Sequence, residues 1–203
     1  MVSRFLQRPR VSHLAAAKRI LRYLKGNLNY GILFPIADKG KEFKLVGYTN
    51  SSWCSVAEDR KSTTGYVFML GGAPVAWSLR KEPVMALSSR GTEYIDDSLC
   101  ACQATWMVKL FEEITDKYHG AITIKIDSML AINLAKNPIS HGRSKHIEIR
   151  FHYLRENVAD GKMNLEHYRT ENQIADIMTK GVHVEIFRRL ILMMNIDSLD
   201  IMN

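Results

Sequence analysis

FKLVGYTNSSW, Phe43–Trp53, sets Phe43, Leu45 and Gly47 alternating with Lys44, Val46 and Tyr48. A period of two with aromatic and branched residues predicts a strand over Phe43–Tyr48. The polar cluster Thr49-Asn50-Ser51-Ser52 is expected to end that strand, after which the chain turns back. In α/β proteins the carboxyl end of a central strand is where chemistry is commonly placed. The cluster Thr49–Ser52, with Asn50 within it, is thus where a functional reading begins.

Downstream, Thr64–Leu70 (TGYVFML) and Val75–Leu79 (VAWSL) read as two more strands joined by a tight turn at Gly71-Gly72. Three strands with short connections predict an antiparallel meander. Residues 92–114 predict the longest helix, with Tyr94, Ile95, Leu99, Trp106, Leu110 and Ile114 on its buried face. Gly91 weakens its first turn by about 1 kcal/mol relative to Ala. Ala121–Ile126 is an apolar strand running into Asp127, and Ser128–Lys136 a short helix. Then follow a helix near Ile147–Val158, a turn at Asp160-Gly161 and a strand over Met163–Tyr168. A helix over Asn172–Lys180 and an amphipathic helix over Val184–Met194, with Ile186, Leu190 and Met193 on one side, complete the chain. This order predicts an α/β fold, one mixed sheet with helices packed on it.

Upstream, Ser12–Lys25 predicts an amphipathic helix with Ser12 as N-cap, Leu14, Ala17, Leu21 and Leu24 as a buried stripe, and Gly26 as its stop. Lys18, Arg19, Arg22 and Lys25 form its basic face, read as a solvated face with a nucleic-acid backbone contact as the alternative. Residues 36–42, IADKGKE, preceded by Pro35, have the composition of a linker.

The 203 residues are 46% hydrophobic and 24% charged, values of a globular chain, not a disordered one. A net charge of +7 leaves two readings open, a polyanion partner or a solvated basic surface. Cys54, Cys100 and Cys102 are an odd number without metal-binding spacing. They favour a reducing, intracellular setting, cytoplasm or nucleus. No signal-peptide pattern and no run long enough to span a membrane is present.

Three carboxylates stand at element ends: Glu93 early in the long helix, Asp127 after the apolar strand, and Asp176 in NQIADIMTK. Each alone has an ordinary explanation, as a cap, a helix-start acid or a surface residue. Together they can converge at one rim of a mixed sheet, where carboxylate oxygens hold hard divalent cations. Two such ions activate water and stabilise a leaving oxygen in phosphodiester cleavage. Between Ser140 and Glu156, His141, Arg143, Lys145, His146, Arg150 and Arg155 form a basic cluster suited to phosphate contacts. Trp53, Trp77 and Trp106 read as core or edge packing.

The segments LAAAKRILRYLKG, DRKSTTGYVFMLGGAPVAWSLRKEPVMALSS, EYI, LAKNP, HGRSKHIEIRFHYLRE and NQIADIMTK occur in one order. In that order and spacing the chain resembles the C-terminal part of a copia-type LTR-retrotransposon polyprotein, the end of a reverse transcriptase followed by a ribonuclease H domain. The resemblance implies a ribonuclease H-like mixed five-stranded sheet preceded by a short helical segment. It divides the chain into a reverse-transcriptase remnant and linker (1–42), a ribonuclease H-like domain (43–182) and a C-terminal helix (183–203).

It also implies hydrolysis of the RNA strand of RNA/DNA hybrids with two Mg²⁺ (or Mn²⁺) ions. Glu93, Asp127 and Asp176 would be the metal-binding acids and Arg143, Lys145, His146 and Arg150 hybrid contacts. A reverse transcriptase, or self-association through the terminal helices, would be a further partner. The family's first catalytic Asp lies in Tyr-Ser-Asp-Ala-Asp-Trp. Here that stretch is Tyr48-Thr49-Asn50-Ser51-Ser52-Trp53, so Asn50 replaces it. An amide offers one neutral oxygen and an N–H donor where two anionic oxygens are needed. Impaired catalysis is therefore expected, with a non-catalytic nucleic-acid-binding or protein-interaction module as the alternative. Arg90, Gly91, Asp96, Asp97, Arg169 and Gly181 depart from the family pattern as well. Asp97 is one helical turn past Glu93, which puts it too far along the sheet to serve the site.

Overall fold

The computed structural model describes residues 5–36, 44–52, 62–81, 89–116, 120–136 and 145–199, without the side chains of 89–96 and 145–151. The expected linker at 36–42 lies almost wholly outside them, as do Trp53 and Cys54. The chain divides into two compact units, 1–31 with 196–203, and 32–195.

In the smaller unit, α1 (Val11–Lys25) begins one residue before the expected Ser12. Its first turn is closed by the Arg10 backbone N–H donating to His13 Nδ1 at 3.1 Å, and the His13 ring stacks on Phe5 with centroids 4.0 Å apart. The expected buried stripe is not formed, because α1 has no buried residue: Leu14, Leu21 and Leu24 are all exposed. β1 (Tyr30–Ile32) and β7 (Ile196–Ser198) pair in a short two-stranded sheet. Neither was legible in the sequence.

The larger unit holds β2 (Leu45–Ser52), β3 (Thr63–Leu70), β4 (Ala73–Lys81), β5 (Ile122–Ile126) and β6 (Met163–His167) in one mixed sheet, ordered β4-β3-β2-β5-β6. The first three form the expected antiparallel meander, while β2–β5 and β5–β6 are parallel. Gly71 and Gly72, with φ of 63° and 96°, make the β3–β4 turn that other residues strain to adopt. β2 does not stop at Tyr48. It runs through the polar cluster to Ser52, because Asn50 and Ser52 pair with Gly65 and Thr63 of β3. Pairing with a neighbour strand overrides the weak strand preference of Asn and Ser.

One sheet face packs against α2 (Ser89–Thr115), α3 (Met129–Lys136) and α4 (Lys145–Ala159), over Phe68, Ile124, Ile126, Leu154 and Leu165. The buried face of α2 is the reverse of the expected one. Asp97, Cys100, Ala101 and Ala104 are buried, while Trp106, Leu110 and Ile114 are exposed. Small side chains let the helix approach a sheet whose centre is also tight. A Cβ on Gly47 would lie 2.9 Å from the Phe68 ring. The other sheet face carries α5 (Asp176–Thr179). α6 (Val184–Met193) belongs to the same unit and buries Leu190, while Ile186 and Met193 of its expected face are exposed.

Candidate active site

Along β2 side chains alternate, so Tyr48 and Asn50 share one face while Gly47 and Thr49 share the other. Thr49 pairs with Ile126 of the parallel strand β5. Asp127, the next residue, therefore stands level with Asn50 at the carboxyl ends of two adjacent parallel strands. On β3 the residue opposite Asn50 is Gly65. A Cβ there would sit 2.8 Å from Met178 Cβ and 2.8 Å from Thr179 Cγ2. Gly65 thus opens the space that lets α5 lie directly on the sheet beside Asn50.

Gln173 holds the other end of this approach. Its side chain is fully buried and its Nε2 donates to the Thr49 carbonyl at 3.1 Å and the Lys125 carbonyl at 3.3 Å. Its Oε1 accepts from the Ala175 backbone N–H at 3.3 Å. These bonds anchor the segment to the ends of β2 and β5. They also explain why the helix expected over Asn172–Lys180 is broken. A 3₁₀ turn at Thr170–Asn172 and an extended Gln173 precede the four-residue α5.

The result is direct contact between two of the expected site residues. The Asn50 amide Nδ2 donates to Asp176 Oδ1 and is 3.2 Å from Thr179 Oγ1. The second carboxylate oxygen, Oδ2, receives the Lys180 ammonium at 2.7 Å. Asn50 and Asp176 are buried, at 8% and 5% exposure. Burial pushes the Asp176 carboxyl above its ordinary value, and the Lys180 hydrogen bond and charge only partly oppose this. Asp176 is therefore a carboxylate with N–H donors of the chain on both oxygens, one neutral and one cationic.

Asp127 is half-buried at its strand end and takes part in interactions there. Glu93 is placed early in α2, but its side chain lies outside the described residues, as do Arg143 and the side chains of Lys145, His146 and Arg150 on α4. Asp97 is buried on the inner side of α2, where its charge adds to burial in raising the Cys100 thiol. Among the described residues no group of three or more His, Cys, Asp or Glu side chains comes together to hold a metal ion.

Sequence reasoning missed Thr179, Lys180 and Gln173. Lys180 was available as a signal, since Asp176 and Lys180 are four residues apart on a predicted helix. Two residues back from Asn50 on the same face, the Lys125 ammonium lies 5.2 Å from the Tyr48 ring centroid and 4.4 Å from that of Tyr168. It is 3.4 Å from the Tyr48 hydroxyl, and burial is the largest cause raising both phenols. Trp77 on β4 and Trp106 on α2 are exposed, so neither is a core residue.

No protein-family profile matches the chain. Over 187 residues it is 35% identical to the retrovirus-related Pol polyprotein from transposon RE1 of Arabidopsis thaliana, covering 92% of this chain and 13% of that protein. It is 34% identical over 182 residues to the corresponding polyprotein from transposon TNT 1-94 of Nicotiana tabacum, covering 90% and 13%. The chain thus spans about an eighth of the length of these relatives. Its fold is similar to the N-terminal RNase H domain of Rv2228c from Mycobacterium tuberculosis, with a TM-score of 0.50 at 11% identity, covering 74% of this chain and 98% of that one. With sequence likeness running through nearly its whole length and an RNase H-like fold beneath it, the chain is a homologue of part of the retrovirus-related Pol polyproteins of transposons.

Proposed function

We propose that this chain is the ribonuclease H-like domain of a copia-type Pol polyprotein, that it holds RNA/DNA hybrids, and that its two-metal hydrolysis is impaired by Asn50. The observation that carries this reading is the pair of N–H donors on Asp176. A carboxylate in a two-metal site must turn its oxygens to Mg²⁺ or Mn²⁺. Here the Asn50 amide and the Lys180 ammonium take both oxygens. As arranged, this donor set does not fit a bridged pair of cations. Glu93 and Asp127 are the remaining acids of such a site. Arg143, Lys145, His146 and Arg150 are the proposed hybrid contacts.

Asn50→Asp would restore two anionic oxygens at the end of β2 and set two carboxylates side by side. Two carboxylates in contact must share a proton or a cation, and Lys180 meets only the Asp176 oxygen that faces away from residue 50. The variant is therefore expected to recruit divalent metal. The test is cleavage of a labelled RNA/DNA hybrid with Mg²⁺ and with Mn²⁺, run on the natural chain and on Asn50→Asp. Efficient cutting by the natural chain defeats the proposal. If neither protein cuts while both bind hybrid, a non-catalytic binding module from the same fold is the better reading.

The remainder of a polyprotein, including a reverse transcriptase, and a second copy of the chain are the proposed protein partners. A cytoplasmic or nuclear setting is part of this reading, on the odd number and unpatterned spacing of Cys54, Cys100 and Cys102. Among the described residues no helix is long and apolar enough to cross a membrane.

A further inference from the structure

The positive charge of this chain is not spread over it. Residues 1–37 contain Arg4, Arg8, Arg10, Lys18, Arg19, Arg22 and Lys25 and no Asp or Glu, while the rest of the chain holds 21 cations and 21 acids. The net charge of +7 is therefore the charge of the N-terminal segment alone. Within the sheet unit, cations are met by acids, as in Lys162–Asp160 and Lys180–Asp176, both at 2.7 Å.

α1 concentrates this charge on one side. Lys18, Arg22 and Lys25 recur at helical spacing with Arg19 on their flank, and all four are exposed. From Lys18 to Lys25 the helix rises about 10 Å. That length spans about three steps, and hence four successive phosphates, of one strand at ~3.4 Å of duplex axis each. A solvated face is normally laced with acids that offset its cations. This one has none, so the cations raise each other's potential and are best relieved by a polyanion.

We propose that α1 is a nucleic-acid-binding element in its own right, which grips the phosphate backbone of a duplex through Lys18, Arg19, Arg22 and Lys25, without reading sequence. The choice of a nucleic acid over an anionic membrane rests on the hybrid-binding reading of the chain given above. The contact does not involve Asn50, Asp176 or α4. It supplies affinity in addition to any that the sheet unit provides.

Four phosphate contacts set a definite salt dependence. For B-DNA the log–log slope is about −0.9 per neutralised phosphate, so four contribute about −3.6. Between ~50 and ~200 mM salt this part of the affinity falls by about 10²-fold. The experiment is a salt titration of the full 203-residue chain against a labelled DNA duplex and a labelled RNA/DNA hybrid of equal length, read by fluorescence anisotropy.

The quadruple variant Lys18→Ala, Arg19→Ala, Arg22→Ala, Lys25→Ala is expected to flatten the slope by about 3 to 4 on both ligands. The same titration on Lys44→Ala, Lys109→Ala, which removes charge from the sheet unit, should change it far less. Far-ultraviolet circular dichroism checks that α1 stays helical in the quadruple variant. An unchanged slope in that variant, or an equal loss in the control pair, overturns the proposal. So does tighter binding of the natural chain to phosphatidylserine vesicles than to the duplex, abolished by Leu21→Gln and Leu24→Gln. Failure of Asn50→Asp to cut would leave these slopes untouched, which separates this inference from the catalytic one.

Discussion

The rim around Asn50 and the helix α1 handle charge in opposite ways. At the rim, one carboxylate is buried and both of its oxygens are occupied by donors from the chain, so little is left to attract a ligand. In α1, four cations stand on one exposed face with no acid in the helix to offset them. Burial forces a polar group to find its partner inside the fold, because leaving it bare costs several times the worth of an ordinary hydrogen bond. Exposure removes that compulsion and leaves the charge free for a partner outside. The rim is thus ordered from within, while the charge of α1 faces outward.

The largest effect that bears on this contrast is in Asn50→Asp. If internal donors are what keep the rim closed, a second carboxylate breaks the closure. Metal-dependent cleavage of a hybrid should then rise by about 10²-fold or more, the scale of a repositioned catalytic group. A natural chain that already cuts as fast as the variant would erase the contrast. Gly65→Ala tests the packing that brings α5 to the rim. Its new Cβ meets Met178 and Thr179 at 2.8 Å, and neither contact is the far end of a flexible side chain. Overpacking of this kind is expected to lower stability by about 1–3 kcal/mol in urea denaturation. An unchanged midpoint would mean that α5 sits loosely.

A smaller effect sharpens the electrostatics. The Asp176 carboxyl is raised above its ordinary value of 3.8, chiefly by burial. The folded state thus binds this proton more tightly than the unfolded state does. Stability from this group is fully present below the ordinary value and is lost as pH rises through the raised one. Asp176→Asn does not titrate, so its stability relative to the natural chain should improve as pH rises from acid to neutral. A flat difference across that range would show that Lys180 fully offsets the burial. The smallest effect belongs to α1. Leu21→Gln alters an exposed side chain, so the urea midpoint should move by no more than about 0.5 kcal/mol in stability. A larger loss would show that the apolar side of α1 is packed after all.

Much of the sheet is legible in residue pattern alone. Alternation in Leu45–Tyr48, the Gly71-Gly72 turn and the apolar run ending at Asp127 each report a local backbone preference. The pairing of positions 50 and 176 was legible only through the resemblance, since nothing local connects residues so far apart in the chain. The face of α2 was misread for a physical reason. Trp106, Leu110 and Ile114 make a larger apolar stripe than Cys100, Ala101 and Ala104, yet the smaller stripe is buried. Size measures how much a residue gains by burial, whereas a tight helix–sheet approach selects residues that fit. The helix expected over Asn172–Lys180 failed similarly, because Gln173 trades helical bonds for the carbonyls of two strands.

By itself, the sequence determined the strand and helix periods, the segregation of positive charge into the first 37 residues, and the Asn at the end of the central strand. These are properties of residue type and spacing, and they need no knowledge of neighbours. Only the tertiary structure decided that β2 continues past its polar cluster, that α2 turns its small residues inward, and that Asp176 meets Asn50 and Lys180 instead of open solvent. Each of those outcomes depends on which groups burial brings within reach of one another, and the pattern along the chain does not contain that information.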